Sequence, residues 1–465
     1  MPHPQDIVAR LWHLCNVLRE SGITYPEYVT ELTYLLFLKM AQQTGSEEEL
    51  PHGFRWDSLS RLHGSEQFEF YRRLLRALGS AEAPEVRAIF AGSETAMSKP
   101  RYLQLLVAEL DSINWRPELE EDTLGDIYEG LLEKNSAESK AGAGQYFTPR
   151  PIVETIVRLV KPRPGEIIQD PACGTGGFLI ASDRYVKSQG GNGRKRLTKS
   201  RRFLGIELVR DTQRLALMNA MLHRINANII CGDTLDELGA SLPPVDVILT
   251  NPPFGTKPGA GLPDREFPIP TSNKQLAFLQ HIYLGMKAGG RAAVVLPDMQ
   301  GRAAPQVMKD LMNKCDLHTV LRLPRGIFYA QSVKTNVLFF TRRRSDTNNT
   351  KNVWIYDLRS NMPAFNKSNP LTREHFAEFE KAFGSDPYGR SKRRDEGERG
   401  RFRCFSRQHI RDNGDTLNIT WIGENDCGEQ ITSASPDVLA KRIEVKLKRA
   451  LKELGGLARQ VRSVR

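Results

Sequence analysis

A doubly wound α/β sheet, preceded by an all-helical N-terminal domain, is the fold this sequence predicts, and three observations predict it. From about Ala141 onward, short β-branched or apolar runs alternate with segments of helical periodicity, the order a parallel sheet with crossover helices requires. Before that point the chain carries helical periodicity and no strand-like alternation. A Gly-rich turn follows the first apolar run and leads into a helix, the place where open α/β sheets receive ligands. The expected divisions are 1–138 for the helical domain, 139–345 for the sheet and 346–465 for a C-terminal extension with a helical tail.

In the N-terminal part the clearest helix spans Tyr28 to Ala41, where Leu32, Leu35, Leu36, Leu38 and Met40 build one apolar face. Further helices are expected at Asp6 to Arg19, Phe68 to Leu78, Tyr102 to Leu110 and Leu124 to Glu133, with Gly, Pro and polar residues between them. The sheet is expected to use Ile167 to Asp170, Phe203 to Glu207, Ala227 to Cys231, Val245 to Thr250, Arg291 to Leu296, Thr319 to Leu323 and Asn336 to Thr341. Asp211 to Ile225, Lys274 to Met286 and Pro305 to Lys314 are long enough to cover its faces. Lys187 to Arg202, rich in Gly, Ser, Lys and Arg, reads as an exposed insertion, and Ser385 to Arg403, with few apolar residues, as a mobile basic stretch. A final helix is expected from Ser435 and Pro436, good N-cap and first-turn residues. Its stripe of Leu439, Ile443, Leu447, Leu451 and Leu454 needs a packing surface, within this chain or on a partner.

A chain of 465 residues with 40% hydrophobic and 26% charged residues can bury a sizeable core. The 66 Lys and Arg outweigh 55 Asp and Glu by 11 charges, which favours a polyanionic partner through phosphate contacts. Cys15, Cys173, Cys231, Cys315, Cys404 and Cys427 are scattered with no CxxC or CxxH spacing, so free thiols in a reducing cytoplasm are expected and no metal. Neither a charged-apolar-small leader nor a run of about 18 apolar residues occurs, so no membrane role is expected.

Two motifs carry chemistry. Asn251, Pro252, Pro253 and Phe254 directly follow the apolar run Val245 to Thr250, so they stand at the carboxyl end of a strand. A plain Pro-rich strand exit would have the same prolines. An exocyclic adenine amine is a poor nucleophile while its lone pair is delocalised into the ring, and the Asn251 oxygen with the Pro252 carbonyl could accept its two hydrogens. The prolines fix the backbone that aims these acceptors, and Phe254 can stack on a base taken out of the duplex. The second motif, Asp170, Pro171, Ala172, Cys173, Gly174, Thr175, Gly176, Gly177 and Phe178, runs from strand to helix, and its glycines allow close approach of a ligand. A dinucleotide fingerprint would place Gly at 179, where Leu179 stands. Glu207 ends the second strand and suits two ribose hydroxyls; Asp233 follows the third and could accept from a cofactor's adenine amine. Each alone is an ordinary strand-end carboxylate, and their succession at adjacent strand ends is what singles them out.

Together, Asp170 to Phe178 and Asn251 to Phe254 resemble the cofactor loop and catalytic motif of amino-methyltransferases, the Asn-Pro-Pro-Phe form favouring adenine N6 over cytosine N4. Upstream, Gly144, Gln145, Tyr146, Phe147, Thr148, Pro149 and Arg150 are similar to the cofactor-binding segment of type I restriction-modification modification subunits. So are Glu31 to Lys39, Leu124 to Glu133, Val320 to Phe328 and Val333 to Phe340, and the likeness covers roughly residues 5 to 345. The resemblance implies a Rossmann-like methyltransferase sheet, S-adenosylmethionine as cofactor, and a methionine end lined by Tyr146, Phe147 and Thr148. It further implies double-stranded DNA as substrate, a separate specificity subunit that reads the sequence, a second copy of the modification subunit, and a restriction subunit as an optional further partner. The loop Asp298, Met299, Gln300, Gly301 departs from the pattern, where relatives often place Asn and bulkier apolar residues.

Two other readings stay open on sequence alone. A stand-alone DNA adenine methyltransferase would carry its own recognition domain, and the roughly 120 residues after Thr341 read as partly low-complexity and partly one helix. A catalytically silent DNA-binding scaffold would have no need of an intact Asn251 to Phe254.

Overall fold

The computed structural model describes residues 4–422 except 20–21, 46, 114–126, 133, 135–147, 190–201, 255–264, 329–332, 364 and 366–368. Its centre is a nine-stranded sheet: β1 (Ile168–Asp170), β2 (Phe203–Glu207), β3 (Ala227–Cys231), β4 (Val245–Thr250), β5 (Met286–Pro297), β6 (Cys315–Arg322), β7 (Thr335–Arg342), β8 (Asn352–Asp357) and β9 (Phe402–Ser406). The strands lie in the order β3-β2-β1-β4-β5-β7-β6-β8-β9. β3, β2, β1, β4 and β5 are parallel, and β7 runs antiparallel between β5 and β6. Chain order reverses between β1 and β4, so the turns leaving these two strands stand side by side, as at a ligand-binding switch point.

Side chains alternate between the sheet faces with the period of a strand. Val247, Leu249, Ala293, Val295, Val337 and Phe339 join one hydrophobic cluster, while Val245, Ile248, Val294, Leu296, Leu338 and Phe340 join the other. The first face is covered by the helices Arg150–Val160, Gly177–Gln189 and Arg210–Leu222, the second by Lys274–Leu284 and Ala304–Lys314.

The expected helices are present with shifted ends. Tyr25–Thr44 starts three residues early because Thr24 and Glu27 form a reciprocal cap, the Glu27 carboxylate accepting from the Thr24 amide at 2.8 Å. Of Leu124 to Glu133, residues 127–132 are helical, and 124–126 and 133 lie outside the described residues. The expected division at 138 does not divide the packing: Leu32, Leu106, Ile156 and Phe339 belong to one cluster, and the Tyr128 hydroxyl donates to the Leu215 carbonyl at 3.3 Å.

The sequence-based division at 345 falls inside the sheet. β8 pairs parallel with β6, and β9 antiparallel with β8, so the C-terminal extension supplies two core strands. The stretch Ser385 to Arg403, expected to be mobile, is packed down. Arg393 donates to the Phe383 carbonyl at 3.1 Å and the Thr319 hydroxyl at 2.9 Å, with its guanidinium over the Phe383 ring. Tyr388 lies under the cations of Arg163 and Arg291. Planar arginine heads replace the apolar residues whose scarcity suggested mobility. The expected insertion lies outside the described residues between 190 and 201, as does the terminal helix from Ser435. No helix among the described residues is long and apolar enough to cross a membrane.

Candidate active site

The turn after β1 is shaped by two left-handed positions, Gly174 at φ 54° and Gly176 at φ 86°, which a residue with a side chain adopts only under strain. The Gly176 amide donates to the Cys173 carbonyl at 2.8 Å, and the Cys173 amide to the Ile206 carbonyl at 2.9 Å, so the turn is hung on β2. Close packing requires the bare backbone of Gly205 opposite, where a Cβ would stand 3.0 Å from the Cys173 sulfur.

Three carboxylates follow at neighbouring strand ends. Asp170, buried, accepts from the Ala172 amide at 3.1 Å, and burial pushes its carboxyl up to about 7. Glu207 accepts from the Gly174 amide at 3.0 Å through one oxygen and from the Val209 amide at 2.9 Å through the other. Burial raises its pKa, against the pull of those backbone donors. A carboxylate offers about four lone-pair sites, so these donors leave room for a ligand hydroxyl. Asp233 accepts from the Leu235 amide at 2.8 Å, and the Thr234 hydroxyl ties the same turn to the Pro171 carbonyl at 2.6 Å.

Beyond β4, the Asn251 amide nitrogen donates to the Thr148 hydroxyl at 3.0 Å. Its oxygen is buried and accepts no hydrogen bond from the described residues. An unpaired buried acceptor costs about 1–3 kcal/mol, so its retention points to a donor brought by a ligand. Phe254 meets Phe328 edge to face, with ring centroids 5.5 Å apart at 78°.

The three carboxylates, Asn251 and Phe254 line one cleft of about 230 Å³. Of the residues expected from sequence, Thr148, Asp170, Gly174, Thr175, Gly177, Phe178, Glu207, Asp233, Asn251, Pro253 and Phe254 line it. Gly176 shapes the turn without lining the cleft, and Pro252 is buried between Asn251 and Pro253, which do line it. Pro149 caps the helix Arg150–Val160. Arg150 pairs with the buried Glu129 and lines a neighbouring cleft of about 610 Å³ with Arg158 and Arg184, which shares Thr148, Thr175 and Gly177 with the first. Gln145, Tyr146 and Phe147 lie outside the described residues.

Sequence reasoning passed over Leu208, Phe278, Lys274 and Phe328. Leu208, 57% exposed next to Glu207, and Phe278 offer apolar surface to a planar ring in the cleft. An apolar residue stranded after a strand-end acid was the available signal for the first. Phe328 had a fainter one, an aromatic residue in a Gly-containing strand exit. The cleft sets the carboxylates of Asp170, Glu207 and Asp233 against the one described cation lining it, Lys274. Hydroxyl and amine acceptors, apolar ring surface and net negative charge together fit an adenosyl group that carries cationic ammonium and sulfonium centres.

Residues 119–425 match the family described as N-6 DNA Methylase. The chain is 46% identical to the type I restriction enzyme EcoKI methylase subunit of Escherichia coli (strain K12), over 98% of this chain and 95% of that protein. It is 32% identical to the EcoEI methylase subunit of Escherichia coli over 74% of this chain and 76% of that one. Among solved structures it is similar to the crystal structure of the EcoKI M protein, at TM-score 0.58 and 43% identity, covering 98% of this chain and 96% of that one. It is also similar to a chain from work on complex assembly and conformational transition of the type I R-M system, at TM-score 0.73 and 27% identity over the whole of both chains.

Proposed function

Because this chain belongs to the N-6 DNA methylase family, among the methylase subunits of type I restriction enzymes, we propose that its cleft methylates adenine N6 in double-stranded DNA, with S-adenosylmethionine as donor and a separate specificity subunit selecting the sequence. The observation that carries this reading is the buried, unpaired Asn251 oxygen at the end of β4.

With its nitrogen donating to Thr148, the Asn251 amide presents its oxygen as an acceptor. That oxygen takes one hydrogen of the adenine amine and the Pro252 carbonyl takes the other, which localises the nitrogen lone pair towards the methyl group. Phe254 stacks on the base, its ring orientation set by the edge of Phe328. S-adenosylmethionine supplies an electrophilic methyl on sulfur. The amine held by Asn251 and Pro252 would take up that methyl and give its spare proton to water. Glu207 holds the ribose hydroxyls, Asp233 the cofactor's adenine amine, and Leu208 with Phe278 the faces of that ring. Thr148 would take its methionine end. Arg150, paired with Glu129, supports the helix entry.

The assembly we infer holds two copies of this chain with one kind of specificity subunit, acts in the cytoplasm, and admits a restriction subunit. Methyl transfer from labelled S-adenosylmethionine to unmodified DNA, with and without the specificity subunit, tests this. N6-methyladenine formed only with the partner supports the reading; site-specific transfer by the chain alone replaces it with a stand-alone methyltransferase.

A further inference from the structure

We propose that Arg359 is a positioning residue for base capture: with Asp298 and Asn336 it fixes the root of the loop that carries Phe328, and through Phe328 the ring of Phe254. The inference rests on the adenine-methylating reading above and extends it to residues outside the cleft.

Arg359 follows β8, and its own amide is held by the Asp357 carboxylate at 2.8 Å. Its guanidinium grips Asp298 with both terminal nitrogens, at 3.2 and 3.1 Å. One of them also donates to the Thr335 carbonyl at 3.2 Å and the Asn336 side-chain oxygen at 3.1 Å. Asn336 closes the triangle by donating to Asp298 at 2.7 Å. Asp298 in turn donates its amide to the Lys334 carbonyl at 2.8 Å, and Leu323 donates to the Thr335 carbonyl at 3.0 Å. The exit of β6 and the entry to β7 are thereby tied to the end of β5, and Phe328, just beyond the exit of β6, meets Phe254 edge to face.

Stability alone does not require this network. The ladder between β5 and β7 already joins the two strands as far as Pro297 and Thr335. An ion pair whose side chains are 9% and 16% exposed carries a desolvation cost that often cancels its attraction. The bidentate fork instead supplies geometry, at the point where the chain leaves the sheet for the aromatic loop.

The test uses the full chain assembled with its specificity subunit, on a duplex carrying the recognition sequence with adenine or 2-aminopurine at the target. Arg359→Ala is expected to lower kcat by about tenfold to a hundredfold and to reduce the 2-aminopurine fluorescence change, with S-adenosylmethionine Kd unaltered. Arg359→Lys, which keeps the charge and loses the fork, should fall between. Where Arg359→Ala does not fold, Asn336→Ala, which removes only the bridging amide, is expected to move kcat and fluorescence in the same direction. Unchanged kcat and fluorescence, or a loss of cofactor affinity in step with kcat, would overturn the proposal. Wild-type transfer is the control on the underlying reading: a wild-type complex that makes no N6-methyladenine removes both.

Discussion

Where β1, β2 and β3 end, each carboxylate facing the cleft is held by a backbone amide two residues on, Asp170 by Ala172, Asp233 by Leu235 and Glu207 by Val209, with Gly174 added to Glu207 across one strand gap. Where β5, β6 and β8 end, the arginine contacts reach far along the chain. Asp298 is held by Arg359, Arg322 reaches the carbonyls of Leu417 and Ile419, and Arg393 reaches back to Thr319. The parallel half builds a small-molecule site from turns, which glycine and short acidic side chains specify locally. The mixed half builds a brace from long arginines, whose partners are set only once the chain has folded.

The largest expected effect tests the seam between the halves. Asn251→Ala removes the unpaired acceptor while leaving the Gly174 to Gly177 turn and Glu207 in place. Transfer should fall by at least about a hundredfold, with cofactor affinity preserved in calorimetry. Loss of cofactor binding in that variant would move Asn251 from the catalytic side of the seam to the cofactor side. Next in size, Glu207→Ala removes a carboxylate and strands the Gly174 and Val209 amides. Charge-assisted bonds of about 1.5–3 kcal/mol translate to a Kd raised roughly tenfold to a hundredfold. An unchanged Kd removes Glu207 from the site.

The same contrast explains what could be read in advance. Asp170 to Phe178 and Asn251 to Phe254 were legible because each motif is contiguous and its residue types follow from the turn it must make. The seven strands read from sequence were legible because their apolar runs are bounded by helical periodicity. β8 and β9 were not, since Phe402–Ser406 emerges from an Arg- and Gly-rich stretch that reads as unstructured. Phe328 was quoted only as part of a family likeness, because its partner Phe254 is 74 residues away in sequence. The ion pair of Arg150 was hidden for the same reason, its partner Glu129 lying on a helix before the sheet begins.

A smaller effect examines the braced half directly. Arg393→Ala would leave the Phe383 carbonyl and the Thr319 hydroxyl without their donor and uncover the Phe383 ring. The expected cost is about 1–3 kcal/mol, seen as a lowered denaturation midpoint. No residue of 385–403 is among the described residues lining the cleft, so cofactor Kd should stay as it is. A variant that melts like wild type would mean that the arginine contacts add nothing beyond the strand pairing already there.

The smallest expected effect is a pH dependence confined to the parallel half. Burial raises Asp170 to about 7 from an ordinary value of 3.8. Between those two values the folded protein binds a proton that the unfolded chain has released, so the contribution of this group favours folding at the acid end and is lost as pH rises towards 7. A cationic cofactor reverses the preference, because its ammonium and sulfonium favour the ionised carboxylate. Cofactor Kd should therefore tighten several-fold between pH 6 and pH 8, while the melting temperature gained on cofactor addition grows over the same interval. Asp170→Asn, which keeps the acceptor for Ala172 and cannot ionise, should flatten both trends. If the trends persist in that variant, Glu207, whose pKa is also raised by burial, is the group that titrates, and the electrostatic centre of the site moves from β1 to β2.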